Sequence, residues 1–526
     1  MEISIKDNFL IFKFDFDPDT IKQAKSIGMR WSPARKIWYA GITKTFIVSF
    51  LKLFPEFYED LKEYTPKKLD YSDYIPSAYL MKHQREGAEA AIKESRRAYY
   101  HEVGTGKTIL AIELIKQKKI KTLVICPLSI IQMAWMEDLK KFAPEIDAVD
   151  LWLLKQKNSP AGRRLFKQRL DECEVAIINF ESFRTLKSEL KQAKFRMLII
   201  DESAKIKSSR SKITEAVIDF SDNIDFVYPL SGNPAPNSEM EYWSQLRLID
   251  PLLLGRSFYA FRNYYFYNHG YGNFKWSMKK DKREEFLDKL ATVSEVVRKE
   301  DVLDLPEKTE NIRTVYLDVA ERKAYEEMRK HLVVEFADTE IIAINAAVKL
   351  MKLREGTSGF YIGENNKVFQ IGNSKLNELK DLLEEIGNHQ VIIWTHFHYE
   401  ADQVEKMLKD KLWGRVDGTI SNQTIKNETV KAFKNGEIQY LIAHPASLGH
   451  GVTLVNCTYM IYFSLSHSWE LFDQTSGRIY RKGQVNKCSY YFLIADRSVD
   501  EVIMKALKKK SSVAQSVFNY IKGGGK

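Results

Sequence analysis

The sequence has 526 residues, of which 44% are hydrophobic and 29% are charged, enough apolar chain for about three folded domains. This composition excludes a disordered tail, a small disulfide-stabilised scaffold and a single small binding module. No run approaches the roughly 18 apolar residues of a membrane-spanning helix, and the first residues lack the pattern of a secretory signal. The sequence therefore predicts a soluble intracellular protein that does not enter a membrane.

Net charge and cysteine content exclude few functional classes. The 80 basic and 70 acidic side chains give a net charge of +10, which favours a polyanionic partner weakly because the excess is small. The four cysteines form no Cys-x-x-Cys pair, so the sequence predicts reduced, buried thiols and no structural zinc site. They are Cys126, Cys173, Cys457 and Cys488.

Before about residue 80 the sequence predicts a small α+β unit. A strand pair is expected at 3–6 and 9–14, a helix start at Asp17, and a strand-like return at 31–39. Residues 65–70 are typical of a linker.

From about residue 80 onward, short apolar runs rich in β-branched residues alternate with helical segments. Such runs occupy 123–126, 175–178, 197–200, 391–394, 440–443 and 460–463. Strands buried on both faces and joined through helices indicate doubly wound parallel sheets. The fold class is therefore α/β, with one sheet before about residue 235 and another after about residue 390.

The alternation lapses between the two groups of strands, over residues 252–372. Long charged helices are expected there, for example at 320–336. We read this stretch as a helical extension between two sheet lobes. The predicted domains are 1–65, 75–255, 256–372 and 373–526.

The segment 101–108, HEVGTGKT, precedes a helix-forming run and is typical of a phosphate-binding loop. Glycines let backbone N–H groups surround phosphate oxygens, and the helix N-terminus adds partial positive charge. Lys107 is expected to reach the β- and γ-phosphates of ATP, and Thr108 to bind Mg²⁺. His101 replaces the first glycine of the usual pattern, so the loop is a variant. The predicted nucleotide-binding residues of the loop are Gly104, Thr105, Gly106, Lys107 and Thr108.

Two carboxylates end the predicted strand at 197–200. Asp201 is expected to hold the metal, and Glu202 to act as the base that orients the attacking water. A strand that ends in two acids is, by itself, more often the start of a solvated loop. The phosphate loop in the same predicted sheet favours the catalytic interpretation.

The segment 473–484, DQTSGRIYRKGQ, offers complementary positive charge. Gln474, Arg478 and Arg481 fall at i, i+4 and i+7, which predicts a single helical face. If this face lines a cleft between the lobes, both guanidiniums meet the γ-phosphate and stabilise charge in the transition state. The alternative is a solvated basic helix face.

In this order, the segments resemble helicase superfamily two and, within it, the Swi/Snf family of DNA-translocating ATPases, particularly the compact forms of phages and bacteria. The resemblance covers nearly all of residues 80–500. Besides the phosphate loop, DESAK at 201–205 and the basic segment, the matching segments are HQREG at 83–87, CPLS at 126–129 with Trp135, NFE at 179–181, LSGNPAPN at 230–237, VRKEDVLDLP at 297–306, WTHF at 394–397 and HPASLGHG at 444–451.

The resemblance implies two RecA-like lobes that use ATP and Mg²⁺. It places Gln84 on adenine, makes Arg478 and Arg481 an arginine-finger pair beside Gln474, and assigns Ser231 and Gly451 to the coupling of ATP state to DNA grip. Gly451 is also expected at the nucleotide. The candidate DNA backbone contacts are Ser129, Asn179, Lys205, His396 and Ser447, with Arg298 as a further candidate. Each of them can equally be an ordinary surface residue.

Two positions depart from the family pattern. Ala204 stands where His or Gln is common, and Asn233 stands where Thr is usual. The first change removes a hydrogen-bonding side chain between the nucleotide site and the 230–237 segment. It is therefore expected to affect the coupling of ATP hydrolysis to DNA binding more than hydrolysis itself. The hydroxyl of Ser231 partly offsets that loss.

Two further segments have competing interpretations. The stretch 256–267, RSFYAFRNYYFY, can stack on bases or form a buried helix face, and its spacing favours the core. The N-terminal unit distantly resembles the HARP modules of annealing helicases, which recognise DNA junctions. Its tryptophans Trp31 and Trp38 can equally be its hydrophobic core.

The predicted function is an ATP-dependent motor that moves on double-stranded DNA and remodels branched structures by fork reversal, annealing or branch migration, or displaces bound protein. The alternatives are a helicase that separates DNA or RNA strands, and a nucleotide-gated DNA-binding protein with little turnover. Such motors commonly work as monomers. The expected location is the cytoplasm of a bacterial or phage-infected cell, or the nucleus if the source is eukaryotic.

Overall fold

The computed structural model describes residues 1–66, 74–155, 159–269, 275–334, 342–448 and 452–522. The chain divides into two compact units, Met1–Val302 with Ala514–Lys526, and Leu303–Val513. Within the described ranges, no helix is both long and apolar enough to cross a membrane. The four cysteines are buried free thiols, as predicted.

The first unit begins with a four-stranded antiparallel sheet of order β1-β2-β4-β3. Phe12 on its inner face packs against Phe50 and Phe54 with ring centroids 5.3 and 4.9 Å apart. The strand pair and the helix start at Asp17 are confirmed, while the predicted return at 31–39 is two strands. The elements of this N-terminal module are β1 (Glu2–Lys6), β2 (Phe9–Lys13), α1 (Pro18–Ser26), β3 (Arg30–Ser32), β4 (Ile37–Gly41), α2 (Lys44–Leu53) and α3 (Tyr58–Leu61).

The N-terminal module is docked on the loop 222–225 and on the end of the helix Tyr242–Ile249, elements of the lobe that follows it. Thr45 N donates to Asp222 O at 3.0 Å, Lys44 pairs with Asp225, and Lys52 pairs with Asp250 at 2.6 Å. These contacts attach the module to its lobe. The predicted linker at 65–70 falls mainly on residues 67–70, which lie outside the described residues.

A seven-stranded sheet of order β13-β5-β10-β9-β6-β8-β7 forms the core of the first unit. All its strand pairs are parallel. The elements up to residue 250 are α4 (Lys82–Lys93), β5 (Ala98–His101), α5 (Lys107–Lys118), β6 (Thr122–Cys126), α6 (Leu128–Ile130), α7 (Glu137–Phe142), β7 (Ala148–Asp150), α8 (Leu151–Lys155), α9 (Pro160–Glu172), β8 (Val175–Asn179), α10 (Phe180–Thr185), α11 (Lys187–Gln192), β9 (Met197–Asp201), α12 (Lys212–Ser221), β10 (Phe226–Leu230) and α13 (Tyr242–Ile249).

The central strands are buried on both faces. Every residue of β6, β8 and β9 is buried, as expected for strands covered by helices on each side. Their β-branched and leucine side chains divide between two hydrophobic clusters, one on each face of the sheet. The predicted doubly wound parallel sheet is confirmed.

The segment between the predicted lobes contributes to both sheets. β13 pairs with β5 in the first sheet, and β14 pairs over eight residues with the last strand of the second sheet. The elements of this segment are α14 (Phe258–Tyr265), β11 (Phe266–His269), β12 (Lys275–Met278), α15 (Arg283–Val293), β13 (Ser294–Val297), α16 (Lys299–Val302), β14 (Lys308–Val315), α17 (Val319–Val334), α18 (Ile342–Thr357), β15 (Phe360–Ile362) and β16 (Val368–Gln370).

The second unit has a six-stranded sheet of order β14-β21-β20-β17-β19-β18, again entirely parallel. Its strands at 391–394, 440–443 and 459–462 match the predicted runs closely. The remaining elements are α19 (Ser374–Ile386), β17 (Val391–Trp394), α20 (His398–Met407), β18 (Trp413–Val416), α21 (Gln423–Lys434), β19 (Tyr440–Ala443), α22 (Pro445–Leu448), β20 (Tyr459–Tyr462), α23 (Trp469–Ser476), β21 (Cys488–Ala495) and α24 (Val499–Lys522).

Candidate active site

The predicted site residues of the first unit follow the carboxyl ends of five neighbouring strands. The sheet order is β5-β10-β9-β6-β8 in this region, and because all five are parallel, the loops after them meet at one edge. These loops carry the phosphate loop, the 231–237 segment, the acidic pair, the 127–129 segment and Asn179, in that order.

The phosphate loop has the backbone that its sequence predicts. Gly104 and Gly106 have φ values of +93° and +85°, a region that glycine adopts without steric cost. A side chain on Gly106 would collide with the Gln84 amide. Helix α5 begins at Lys107 immediately after this turn, so its N-terminal N–H groups face the loop.

The Lys107 ammonium lies within the loop. It donates to His101 O at 2.8 Å and to Glu102 O at 3.3 Å, and its side chain is buried. Thr108 is half-buried in the first turn of α5. The ammonium is thus held beside the N-terminus of α5, and its predicted contact with the β- and γ-phosphates stays a prediction.

His83 and Gln84 of α4 brace the same loop. His83 Nε2 donates to Thr105 O at 2.8 Å, and Gln84 Nε2 donates to Gly106 O at 3.1 Å. Gln84 Oε1 accepts from Met81 N at 2.9 Å. Both ends of the Gln84 amide thus have protein partners, and its predicted contact with adenine stays a prediction.

Asp201 is buried at the end of β9 and bonded on both oxygens. Trp135 Nε1 donates to Oδ2 at 3.0 Å, and Glu202 N donates to Oδ1 at 3.0 Å. Burial raises the pKa of this carboxyl, whereas the nearby Lys107 ammonium and the Trp135 N–H act in the opposite direction. Glu202 is half-buried and has a left-handed backbone with φ of +54°.

The 231–237 loop packs directly on the phosphate loop. Ser231 N donates to Tyr99 O at 3.0 Å, and a Cβ on Gly232 would lie 3.0 Å from Val103 Cγ2. Ser231 Oγ accepts from Asn233 N at 3.2 Å. The two loops are therefore in direct contact, with no room for a larger residue at Gly232.

The three DNA contacts predicted in the first unit lie at the carboxyl ends of three adjacent strands: Lys205 after β9, Ser129 after β6, and Asn179 as the last residue of β8. Ser129 is half-buried, Lys205 is exposed and Asn179 is buried. Asn179 Nδ2 donates to Glu181 Oε2 at 2.8 Å, while its Oδ1 has no partner among the described residues. The sheet brings these residues to the same edge as the acidic pair.

In the second unit, His396 follows β17, and Ser447 lies in α22 after β19, a neighbouring strand. The rings of His396 and His444 have centroids 5.7 Å apart. Burial, with nearby Arg354, lowers the pKa of His396 well below its usual value, so the imidazole is neutral at pH 7. Gly451, predicted at the nucleotide, lies outside the described residues.

The predicted helical face at 474–481 is wrong. Helix α23 ends at Ser476, and Gly477 N donates to Asp473 O at 3.1 Å as its cap. Glycine is a poor helix former and favours a stop here. Arg478 and Arg481 therefore follow the helix in a turn.

Arg478 and Gln474 are nevertheless buried together with their neighbours. Arg478 is 2% exposed, and its Nη1 donates to Val452 O at 3.2 Å. Gln474 Oε1 is buried without a partner among the described residues. Arg481 is half-buried.

The first-unit loop fits a triphosphate and its metal. Its left-handed glycines and the helix N-terminus leave backbone donors for phosphate oxygens, and a cation is already held beside them. The Thr108 hydroxyl and the Asp201 carboxylate are oxygen ligands of the kind that Mg²⁺ prefers.

Comparison with protein families identifies the chain. The model of the SNF2-related domain matches residues 83–389, and the model of the helicase conserved C-terminal domain matches residues 374–483. The chain belongs to the SNF2 family. It is a superfamily-two, helicase-like ATPase that uses a nucleotide, and the predicted family is confirmed.

Several SNF2 relatives align over most of the chain. Protein p41 of Acyrthosiphon pisum secondary endosymbiont phage 1 is 26% identical, with 80% of this chain and 94% of that protein aligned. An uncharacterised ATP-dependent helicase of Mycoplasma genitalium is 25% identical over 83% of this chain, which spans 42% of its length. The SWI/SNF-related subfamily A-like protein 1 homologue of Caenorhabditis elegans is 23% identical over 98% of this chain and 76% of its own length.

A solved structure, the Sulfolobus solfataricus SWI2/SNF2 ATPase core in complex with dsDNA, is 20% identical. It covers 87% of this chain and 96% of its own, with a TM-score of 0.40.

Sequence reasoning missed the residues that hold the SNF2 motifs in place. Trp135 was noted only as part of a matching segment, yet its indole bonds Asp201 from a π-helical turn, Ile131–Met136. Glu295 bonds the buried His101 at 2.9 Å. Gln484 Nε2 donates to Cys457 O at 3.0 Å inside the second unit. No spacing signal connects these pairs, because each is formed across the fold.

Proposed function

We propose that the protein is an ATP-dependent translocase on double-stranded DNA that remodels DNA structures or displaces bound protein. The observation that carries the proposal is the shared edge of the first sheet. The phosphate loop, the acidic pair and the residues expected to grip DNA follow adjacent parallel strands there. A structural change in the nucleotide-binding loops can therefore be passed directly to the neighbouring loops that are expected to contact DNA.

In the proposed hydrolysis, Lys107 holds the phosphates, and Thr108 and Asp201 hold Mg²⁺. When bound, Mg²⁺ neutralises charge on the phosphate oxygens. The Glu202 carboxylate orients the attacking water and accepts its proton. The indole N–H of Trp135, bonded to Asp201 Oδ2 at 3.0 Å, keeps that carboxylate pointed at the site.

The second unit is proposed to supply charge stabilisation. Arg478 and Arg481 would meet the γ-phosphate as it leaves, with Gln474 and Gly451 beside the nucleotide. Guanidinium groups suit this role because they stay charged and present paired donors. Binding of ATP would favour a closed conformation, and hydrolysis would favour an open one. Each cycle would therefore shift the balance between two conformations.

DNA is proposed to be gripped along its phosphate backbone. Ser129, Asn179 and Lys205 would act from the first unit, and His396 and Ser447 from the second. Backbone contacts carry little sequence information, which suits a motor that steps along any sequence. Because His396 is neutral at pH 7, it would contribute a hydrogen bond instead of a charge.

The experiment compares ATP turnover with linear duplex, forked duplex, single-stranded DNA and RNA for the wild type and Lys107→Ala. Translocation predicts stimulation by duplex, loss of at least about 100-fold of turnover in the variant, and displacement of a third strand from a triplex. Lys140→Ala, an exposed lysine on α7, is the control. The proposal is overturned if duplex DNA does not change the ATP turnover of the wild type. Displacement of a base-paired strand would favour a helicase.

The N-terminal module is proposed to favour branched DNA. Trp38 is in its core, but Trp31 is 46% exposed and packs on Trp38 with centroids 5.5 Å apart. An exposed indole is suited to stacking on an unpaired base. Trp31→Ala should lower the preference of ATPase stimulation for forked over linear duplex, whereas Tyr58→Ala, an exposed ring on α3, should leave it unchanged. Equal preference in Trp31→Ala and wild type assigns the module a structural role.

A further inference from the structure

We propose that Gln245 is a positioning residue that joins the acidic pair to the 231–237 loop. Gln245 lies in α13 and is 0% exposed. The sequence motifs do not include it. The inference deepens the proposed function, because it names the side chain through which ATP state would reach the rest of the first unit.

The Gln245 amide spans two loops of the site. Its Oε1 accepts from Ser203 Oγ at 2.7 Å, and its Nε2 donates to Pro234 O at 2.7 Å and to Glu241 O at 3.3 Å. Ser203 directly follows the acidic pair, and Pro234 directly follows Asn233. One side chain therefore ties the loop after β9 to the loop after β10.

This bridge replaces a side-chain link that the sequence lacks. Ala204 has no hydrogen-bonding group, and it is buried. Ser203, one residue earlier, is fully buried and takes up the connection through Gln245. A buried polar bridge is costly to break, because each freed group is left without water or a partner. Displacement of the acidic pair is therefore passed to the 231–237 loop.

The test uses two readouts on the full chain. Binding of a non-hydrolysable ATP analogue should slow amide hydrogen exchange in residues 231–237 of the wild type. In Gln245→Leu this slowing should be lost, and stimulation of turnover by duplex DNA should fall about 10-fold, while affinity for the analogue stays within about twofold of wild type. Gln245→Glu, which keeps the acceptor for Ser203 but loses the donor to Pro234, should behave like Gln245→Leu.

Ser244→Ala is the matched control. Ser244 is equally buried, but its hydroxyl donates to Ile206 O at 2.6 Å instead of to the 231–237 loop. Ser203→Ala should reproduce the loss, and the double variant with Gln245→Leu should be no worse than either single variant. Additive effects, or an exchange response that is absent in wild type or retained in Gln245→Leu, overturn the inference. A wild type without DNA stimulation overturns the proposed function instead.

A separate observation concerns the stretch 256–267, whose predicted assignment to the core holds for three of its seven aromatic rings. Phe261, Tyr265 and Phe266 are buried, whereas Tyr259 is 54% exposed. Tyr259 belongs to a stack with Arg210, Arg262 and Trp276, which we call the arginine ledge. The Arg262 guanidinium lies 4.0 Å from the Trp276 centroid and 5.3 Å from the Tyr259 centroid, and Arg210 lies 5.9 Å from the latter.

We infer that the arginine ledge contacts DNA phosphates. Neither of its arginines has a carboxylate within ion-pair distance among the residues that the structure describes, whereas Arg313 and Arg415 each pair with two or more. Stacking on Trp276 holds the Arg262 guanidinium flat, and the exposed Arg210 is positioned by a hydrogen bond from its Nη2 to the Tyr259 hydroxyl at 3.4 Å. The remaining guanidinium donors suit a planar, bidentate partner such as phosphate. This inference rests on the proposed DNA binding.

The salt dependence of duplex binding tests the ledge. Removing two phosphate contacts should make the slope of log affinity against log salt shallower by about two in Arg210→Ala/Arg262→Ala. Basal ATP turnover should stay within twofold of wild type, and the melting temperature should stay within about 2 °C of wild type. Arg163→Ala/Arg164→Ala, two exposed arginines on α9, should leave the slope unchanged. An unchanged slope in the ledge variant overturns this inference alone, whereas a wild type that does not bind duplex overturns both it and the proposed function.

Discussion

The two parallel sheets present their candidate site residues in different ways. At the edge of the first sheet, site loops contact one another: the Lys107 ammonium bonds the loop carbonyls, Asp201 is bonded by Trp135, and Gly232 packs on Val103. In the second unit, Arg478 is held by a backbone carbonyl, Val452 O, within a turn after α23. In the proposed function, this difference corresponds to a division of roles: the first edge binds the nucleotide, and the second unit contributes arginines in the transition state.

This contrast predicts that changes in the second unit affect turnover and leave ATP binding intact. Arg481→Ala should lower kcat by about 1000-fold, because an arginine finger contributes mainly in the transition state. ATP affinity, measured with a non-hydrolysable analogue, should change less than about threefold. Arg497→Ala, an exposed arginine of the same unit, is the control. Equal losses in affinity and turnover would contradict the division of roles.

Arg478 should differ from Arg481 in stability. Arg478 is buried and bonded to Val452 O, so Arg478→Ala leaves that carbonyl unsatisfied and should cost about 1 to 3 kcal/mol. Arg481 is half-buried, and its replacement should cost less than about 0.5 kcal/mol. Urea unfolding of both variants measures the difference. Equal losses of unfolding free energy in Arg478→Ala and Arg481→Ala would show that both arginines contribute equally to stability.

In the first unit, Trp135→Phe should lower the affinity for Mg²⁺ without abolishing Mg²⁺ binding. Loss of the indole N–H frees Asp201 Oδ2 from its partner at 3.0 Å, and loss of a supporting hydrogen bond typically costs 10- to 100-fold in metal affinity. We expect the Mg²⁺ concentration for half-maximal turnover to rise about 10-fold. Trp243→Phe loses an indole bond of the same length, to Gly255 O, away from the site. An identical Mg²⁺ requirement in Trp135→Phe and wild type would remove the role assigned to this contact.

The smallest expected effect is a pH dependence of stability. Burial lowers the pKa of His101 despite its bond to Glu295, so below pH 6.5 the unfolded chain binds a proton that the folded chain does not. The free energy of unfolding therefore falls as the pH drops below the usual histidine pKa of about 6.5, by at most about 1.4 kcal/mol per pH unit for this residue. His101→Gln should have a shallower slope between pH 6.5 and 5, and His389→Gln, at the surface, should match wild type. A slope in His101→Gln as steep as in wild type would mean that His101 is not the group responsible.

Local patterns predicted the strands and the phosphate loop, because both depend on residues close in sequence. The run at 123–126 reads as a buried strand since each of its side chains is apolar, and the loop at 101–108 depends on glycines a few residues apart. The predicted helical face at 474–481 is wrong for an equally local reason: the i, i+4, i+7 spacing continues past Gly477, but the helix ends there. The bonds from Trp135 to Asp201 and from Ser203 to Gln245 join residues 66 and 42 positions apart. Their pairing is set by the order of strands in the sheet, which no periodic pattern encodes.

The proposed function requires that Lys107 of the first unit and Arg481 of the second act on the same triphosphate. The four native thiols are buried, so Arg481→Cys introduces a single accessible thiol at the test position. An ATP analogue with a thiol-reactive group on its γ-phosphate should label this variant when duplex DNA is present. Excess ATP should prevent the labelling, and adding Lys107→Ala should abolish it. Labelling of Arg481→Cys that is no faster than that of the wild type, with the analogue shown to bind, would contradict the account.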